Sequence, residues 1–325
     1  MSVEKPLFFQ EIPTFGKKAN AEIAITLFND CNLNCKFCWG LSQTSPYFNE
    51  KAIIRMANDC CNVLRNVNEQ KITVALMGGE VLQDKFTDEQ FLVYEKFCDL
   101  VLETASEIGK TVRFTLASNL IFKKRERVLN LLKKYNFTIN GSFDLVGRYD
   151  NPKLVSLFIS NVDWLRDNGI NVGVSFVAHK SNIKALKNRE SFIEEFDYLY
   201  NNYDMYFEYY TTVGVEEFDV TEEEVADFLK FLHIHYPKMK QVESFDQSFA
   251  NKRCGCIECQ RTVWISDYVD NCDGNFLENY KSVIQEKGCL SCKHLRYCVG
   301  VCSRIFKGNK FCFLRDYYDH LESLE

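Results

Sequence analysis

The chain has 325 residues, of which 46% are hydrophobic and 26% charged, so it can form one large or two modest domains with a substantial core. A formal net charge of −6 argues against a nucleic-acid partner held through phosphate contacts. Fifteen cysteines without a signal peptide or a membrane-length apolar run favour metal ligation in a reducing cytoplasm, rather than disulfides, secretion or a membrane span.

Strand-like and helix-like segments alternate from residue 22 onward. Strands rich in β-branched and aromatic residues are predicted at 22–28, 72–77, 111–117, 137–143, 171–178 and 205–211. Helices with apolar residues at intervals of three and four are predicted at 50–67, 88–108, 123–135, 152–168, 183–200 and 221–236. This alternation predicts an α/β fold with a parallel sheet, and six units predict a partial barrel.

The first cysteine group is Cys31, Cys35 and Cys38, directly after the first predicted strand. Three thiolates at this spacing can hold three irons of one [4Fe–4S] cluster, which leaves the fourth iron open to an exogenous ligand. An α/β barrel places its active site at the carboxyl ends of its strands, where this loop lies. The alternative is a zinc site, with Cys60 or Cys61 as a fourth ligand.

This loop, with Phe37 at the aromatic position before the third cysteine, resembles that of the radical S-adenosylmethionine (SAM) superfamily. The resemblance implies a partial (β/α)6 core in which SAM binds the open iron. It also implies that Gly78, Gly79 and Glu80 bind the SAM amino group, although Val81 replaces the usual proline. Without the cysteine loop, the same glycines would indicate only a tight turn.

Polar residues at the ends of the next strands complete the implied SAM pocket. By resemblance, Ser118 and Asn119 lie near SAM, and Ser142 and Asp144 lie near its ribose and carboxylate. Each of the four could equally cap a turn or helix. We expect three further groups to be surface features. Arg148 is expected to be a surface arginine, with neutralisation of the SAM carboxylate as the alternative, and His179 and Asn182 are expected to be polar rim residues. The basic residues Lys123, Lys124, Arg125 and Arg127 are expected to form a solvated helix face.

The second cysteine group lies in the last quarter of the chain, and its spacing resembles the SPASM extension, which binds two auxiliary [4Fe–4S] clusters. The resemblance implies an outer cluster held by Cys289, Cys292, Cys298 and Cys312, and an inner one held by Cys254, Cys259, Cys272 and Cys302. Cys256 either replaces Cys254 as a ligand or is spare, and a spare Cys256 is either idle or a hydrogen-atom donor. The alternative is a pair of zinc ribbons. Cys60, Cys61 and Cys98 are expected to be buried apolar residues, and His294 an exposed loop histidine.

These patterns predict three regions: an N-terminal extension at 1–20, a radical SAM core at 21–240 and a SPASM-like domain at 250–325. The extension is too short for a further folded domain. The resemblance implies hydrogen abstraction from a peptide or protein, giving oxidation, cross-linking, epimerisation or a related modification. The implied partners are a separate leader-binding protein and a reductant such as flavodoxin or ferredoxin. The alternatives are an enzyme acting on an amino sugar or amino acid, and a non-catalytic iron–sulfur or zinc protein.

Overall fold

The computed structural model describes residues 21–38, 47–210, 215–239, 262–265, 285–294 and 310–324. Within these ranges the strands form one parallel sheet in the order β6-β5-β4-β3-β2-β1-β7. The strands are β1 (Ala21–Thr26), β2 (Lys71–Met77), β3 (Thr111–Ser118), β4 (Thr138–Ser142), β5 (Asn171–Ala178), β6 (Asp204–Tyr209) and β7 (Thr262–Ile265). The predicted α/β fold and its six strands are confirmed.

Helices connect successive strands, as parallel pairing requires. They are α1 (Glu50–Asn66), α2 (Asp88–Glu107), α3 (Arg125–Lys134), α4 (Pro152–Asp167), α5 (Lys180–Asn188), α6 (Ile193–Asn202), α7 (Glu222–His235) and α8 (Phe313–Glu322). The capping-box pattern predicted at Thr221 is present, since its side chain accepts from Glu224 N and Glu224 reaches back to Thr221 N. None of these helices is long and apolar enough to cross a membrane.

The predicted single helix at 183–200 is wrong, because the chain forms α5 and α6 with a break between them. Arg189 and Phe192 both adopt the left-handed conformation, with φ of 55° and 60°. Glu190 N donates to Ala185 O at 2.9 Å, a bond that closes the end of α5. Left-handed residues end a helix, and no glycine marks the break in the sequence.

A seventh strand lies beyond the region where strand and helix alternate. β7 pairs in parallel with β1, with Glu22 opposite Thr262 and Ile25 opposite Ile265. The sequence prediction missed it because the strand is only four residues long and stands among cysteines. β1, which leads into the cluster loop, is therefore flanked on both sides, by β2 and β7. The domain boundary predicted at 240–250 lies outside the described residues.

Two predictions about side-chain burial were tested by the fold. Cys60, Cys61 and Cys98 are buried on α1 and α2, which confirms their expected apolar role. The basic cluster is only partly a solvated face, because Arg127 is 13% exposed and donates to the carbonyls of Gln83 and Phe86. Arg127 therefore joins α3 to the loop that follows β2.

Candidate functional site

The cluster loop and the Gly-Gly-Glu segment lie together at the carboxyl ends of β1 and β2. Gly79 N donates to Phe28 O at 2.7 Å, and Glu80 N donates to Asp30 O at 2.8 Å, so backbone pairing continues past both strands. A Cβ at position 79 would lie 1.9 Å from Asp30 O, and one at position 78 would lie 2.5 Å from Phe28 O. The glycines therefore allow the two backbones to touch just before Cys31.

Glu80 is buried at 1% exposure between the ends of β2 and β3. Its Oε1 accepts from Leu82 N and from Ser118 Oγ, both at 2.9 Å, and its Oε2 accepts from Asn119 N at 2.6 Å. Burial raises the pKa of this carboxyl. The structure thus brings Glu80, Ser118 and Asn119 together, and the three fix one another inside the protein.

Asn119 contacts the cluster loop directly. Its Nδ2 donates to Asn32 Oδ1 at 2.7 Å and approaches Cys31 Sγ at 3.6 Å. Asn32 in turn donates to Ile121 O at 2.7 Å. The sequence prediction placed Asn119 near SAM but missed Asn32 as its partner. The strand-end amide therefore orients the first cysteine of the loop.

Arg148 contacts the second cysteine of the loop, Cys35, as Asn119 contacts the first. The prediction that Arg148 is a surface arginine is therefore wrong. Its side chain is 11% exposed, its Nε donates to Asp144 Oδ2 at 2.6 Å, and its Nη1 lies 3.7 Å from Cys35 Sγ. Asp144 also accepts from Val177 N and from Asn182 Nδ2. The spacing of four residues between Asp144 and Arg148 was the one available signal in the sequence.

Phe37 lies in an aromatic cluster on the other side of the loop. Its ring centre is 4.6 Å from that of His179 and 5.8 Å from that of Phe218. His179 is fully buried, so its predicted place on the rim is wrong, and so is that of Asn182. Burial lowers the pKa of His179 to about 3, so the ring is neutral. Because Nδ1 accepts from Asn182 N, the proton is assigned to Nε2.

Ser142, the remaining predicted pocket residue, ends β4 and is half-buried, and its carbonyl accepts from the hydroxyl of Tyr149 at 3.2 Å. Asp144 lies two residues further on and is fully buried against Arg148. The predicted SAM residues at β2, β3 and β4 therefore converge on one edge of the sheet. The side chains of Glu80, Ser118, Asn119 and Asp144 are buried and hydrogen-bonded at that edge.

The three thiols of the loop can hold three irons of a [4Fe–4S] cluster, whereas a structural zinc site would need a fourth protein ligand. The cysteines considered for that fourth ligand, Cys60 and Cys61, are buried on α1, and Cys61 Sγ donates to Leu100 O at 3.5 Å. Burial raises the pKa of the Cys31 thiol to about 12 and that of Cys35 to about 11, so a bound metal must supply the charge that deprotonates them.

The C-terminal cysteines are described in part. Cys289 begins a short 3-10 helix, Cys292 follows that helix, and Cys312 caps α8, with all three thiols close enough to interact electrostatically around Cys289. This juxtaposition agrees with the predicted outer site. The other predicted cysteines, Cys254, Cys256, Cys259, Cys272, Cys298 and Cys302, lie outside the described residues.

His294, within the same segment, is 1% exposed rather than an exposed loop histidine. Its Nε2 lies 2.9 Å from Asp319 Oδ1, and its Nδ1 lies 3.4 Å from Glu322 Oε1. Lys293 bridges the same two carboxylates at 2.8 and 2.6 Å. The group therefore attaches the cysteine segment to α8.

No protein-family model matches the sequence. Among curated proteins, the radical SAM cyclopropyl synthase TigE of Paramaledivibacter caminithermalis is 22% identical, over 86% of this chain and 67% of TigE. A structure of native anSMEcpe with bound AdoMet and Cp18Cys peptide matches with a TM-score of 0.65 and 15% identity, over 94% of this chain and 98% of that one. Streptococcus suis SuiB bound to S-adenosylmethionine matches with a TM-score of 0.52 and 15% identity, over 89% and 76%.

The solved structures are too distant in sequence to transfer a reaction, but they share the order of strands and helices over most of the chain. The resemblance to radical SAM enzymes that the cysteine motif indicates is thus confirmed: the chain is similar in sequence to a radical SAM cyclopropyl synthase and similar in fold to anSMEcpe and SuiB.

Proposed function

We propose that this enzyme abstracts a hydrogen atom from a peptide or protein substrate by way of a 5′-deoxyadenosyl radical. The observation that carries the proposal is the three-cysteine loop at the carboxyl edge of the sheet, with Asn119 and Arg148 each donating to one of its sulfurs. When bound, a [4Fe–4S] cluster and SAM together supply the electron and the carbon radical for that abstraction.

The chain's own residues would bind and orient these groups. Cys31, Cys35 and Cys38 would hold the cluster. The segment 78–80 would bind the SAM amino group through backbone groups that do not pair with the segment leading to Cys31. Phe37 and the buried His179 would form a wall of the pocket that excludes water. The exclusion of water protects a reactive radical from side reactions.

A peptide substrate is supported by the fold shared with anSMEcpe, whose structure contains the Cp18Cys peptide. We further propose that Cys289, Cys292, Cys298 and Cys312 hold one auxiliary cluster and that Cys254, Cys259, Cys272 and Cys302 hold another. A separate leader-binding protein and a flavodoxin- or ferredoxin-type reductant would complete the system. Because TigE is a cyclopropyl synthase, ring closure with the loss of two hydrogens is the product to seek first.

The test is anaerobic incubation of the reconstituted enzyme with SAM, dithionite and candidate peptides encoded beside its gene. We expect 5′-deoxyadenosine from the wild type and a peptide whose mass reports the modification. A Cys31/Cys35/Cys38→Ala variant should form neither, while a Cys61→Ala variant, changed on the buried face of α1, should form both. Deoxyadenosine formation with no modified peptide, but with turnover of an amino acid or amino sugar, would favour a small-metabolite enzyme instead.

A further inference from the structure

Arg148 places a buried positive charge against one thiol of the cluster loop. Its Nη1 lies 3.7 Å from Cys35 Sγ, and its guanidinium carbon lies 5.3 Å from the centre of the Phe37 ring. At 11% exposure, solvent ions screen this charge weakly. The contact therefore acts on the loop at close range and in a low-dielectric environment.

Asp144 holds the guanidinium of Arg148 in one orientation, on the side away from the Cys35 sulfur. Nε donates to Asp144 Oδ2 at 2.6 Å, while Asp144 Oδ1 accepts from Val177 N at 2.9 Å and from Asn182 Nδ2 at 2.6 Å. The backbone adds a further contact, because Lys36 N donates to Gly147 O at 3.2 Å. Since Asp144 engages Nε, the Nη1 end of the fork is the one that meets the sulfur.

The contact at Cys35 differs in charge from the contact at Cys31. Cys31 Sγ receives a neutral amide donor, Asn119 Nδ2 at 3.6 Å, whereas Cys35 Sγ receives a cation. Hydrogen bonds to cluster sulfurs and nearby charge both set the potential of an iron–sulfur cluster. A one-electron reduction adds negative charge to the cluster, so a fixed cation stabilises the reduced state more than the oxidised state.

We propose that Arg148 raises the reduction potential of the cluster held by Cys31, Cys35 and Cys38, through its charged hydrogen bond to the Cys35 sulfur. The inference rests on the proposed function, because it requires a [4Fe–4S] cluster in this loop. In the step concerned, the sulfur dioxide radical anion formed when the S–S bond of dithionite breaks gives up one electron to become sulfur dioxide, and the oxidised cluster gains that electron. Arg148 is a positioning residue, and Asp144 sets its orientation.

The test is a potentiometric titration of the reconstituted enzyme without SAM, followed by electron paramagnetic resonance. The Cys31/Cys35/Cys38→Ala variant retains any auxiliary clusters, so its resonance signal is subtracted from that of each enzyme to leave the signal of the cluster in the loop. For Arg148→Gln we expect the equilibrium constant for reduction to fall at least tenfold, which is about 59 mV for one electron. Arg148→Lys, which keeps the charge, should show a smaller fall. Arg166→Gln, the control, changes an exposed arginine paired with Asp163 and Asp167 and should leave the potential unchanged.

A lone Arg148→Gln change leaves the Asp144 carboxylate buried without its cation, which can impair folding. The Asp144→Asn/Arg148→Gln double variant removes both charges and should shift the potential in the same direction. An unchanged potential in both variants, with four irons in the loop, overturns the inference. So does a loss of SAM affinity with an unchanged potential, which would make Arg148 a ligand of the SAM carboxylate. A wild type without a four-iron cluster in the loop overturns the proposed function itself.

Discussion

At the scale of single residues, Gly78 and Gly79 are required by the protein's own backbone before any ligand is considered. Each faces a carbonyl of the segment that leads to Cys31, and Gly78 has a φ of 155°, where a side chain is strained. A methyl group at either position would push the β2 end away from the cluster loop.

We therefore predict that Gly79→Ala prevents cluster assembly in the loop, because a Cβ 1.9 Å from Asp30 O cannot be accommodated without moving the backbone. Iron content after reconstitution and the melting temperature are the measurements. The matched control is Gly109→Ala, where a Cβ meets nothing within 4 Å and only the positive φ of 69° is strained. In that control the free energy of unfolding should fall by about 1 kcal/mol, and the iron content should be unchanged. Equal iron loss in both variants would contradict the close-approach argument.

His179 gives the site a pH dependence. Burial lowers its pKa to about 3, below the ordinary value near 6.5. Below pH 6.5 the unfolded chain therefore binds a proton that the folded chain does not, and stability falls as the pH falls towards 3. The slope from this residue is up to about 1.4 kcal/mol per pH unit.

We predict that His179→Gln removes part of the loss of melting temperature between pH 7.5 and pH 5.5, although it lowers stability at neutral pH. The exposed His235, changed to Gln, is the control and should keep the wild-type dependence. The comparison is made between variants at each pH, so acid effects on the clusters cancel. Parallel curves for the wild type and His179→Gln would show that this histidine is not buried in its neutral form.

Sequence reasoning found the residues of the site more readily than their contacts. Cys31, Cys35 and Cys38 are recognisable from spacing, and Glu80 from two preceding glycines. Arg148 was misplaced, because its four-residue spacing from Asp144 does not by itself show which way an arginine in a loop points. His179 was misplaced for a related reason: a strand-end histidine is polar, but Phe37 and Phe218, which bury it, come from distant parts of the chain.

At the scale of elements, a buried ion pair joins α7 to the segment that contains Cys289. Lys287 Nζ lies 2.5 Å from Glu222 Oε1 and 2.7 Å from Phe311 O, and both charged side chains are almost fully buried. Glu222 is the first residue of α7, where the helix dipole favours a negative charge. The pair therefore fixes the cysteine segment to a helix of the core.

We predict that Lys287→Met destabilises the protein by about 3–5 kcal/mol, because Glu222 is left buried without a countercharge. The Glu222→Gln/Lys287→Met double variant should recover most of that loss, since neither charge remains. The exposed pair Lys96–Glu50 offers a control, and Lys96→Met should cost at most about 1 kcal/mol. Melting temperature and limited proteolysis provide the measurements. A double variant no more stable than Lys287→Met would contradict the role of the lone charge.

Strands and helices were predicted correctly where the pattern of apolar residues extends over many positions. The prediction failed where the backbone conformation of single residues determines where a helix ends. β5 and α4 follow from their patterns of apolar residues. The break between α5 and α6 depends on two left-handed residues, Arg189 and Phe192, that no local pattern requires. β7 is a strand because β1 offers it a free edge, and that is information from the tertiary structure rather than from four residues.

At the scale of the whole molecule, the edge of the sheet that carries the cluster loop receives contributions from β1, β2, β3, β4 and β5. The C-terminal cysteines at 289, 292 and 312 gather separately, beside α7 and α8. Because the two groups of thiols are separate, the metal content proposed for each can be measured independently.

We predict about twelve irons per chain after anaerobic reconstitution, four in the loop and eight in two auxiliary clusters. Cys31/Cys35/Cys38→Ala should lose about four irons and all SAM cleavage, while Cys289/Cys292/Cys312→Ala should lose about four and keep some SAM cleavage. Cys256→Ala should keep all twelve if that cysteine is spare, and should stall product formation if it donates a hydrogen atom. About four irons together with one or two zinc ions in the wild type would replace the auxiliary clusters by zinc ribbons, and would leave only the loop at Cys31, Cys35 and Cys38 as an iron site.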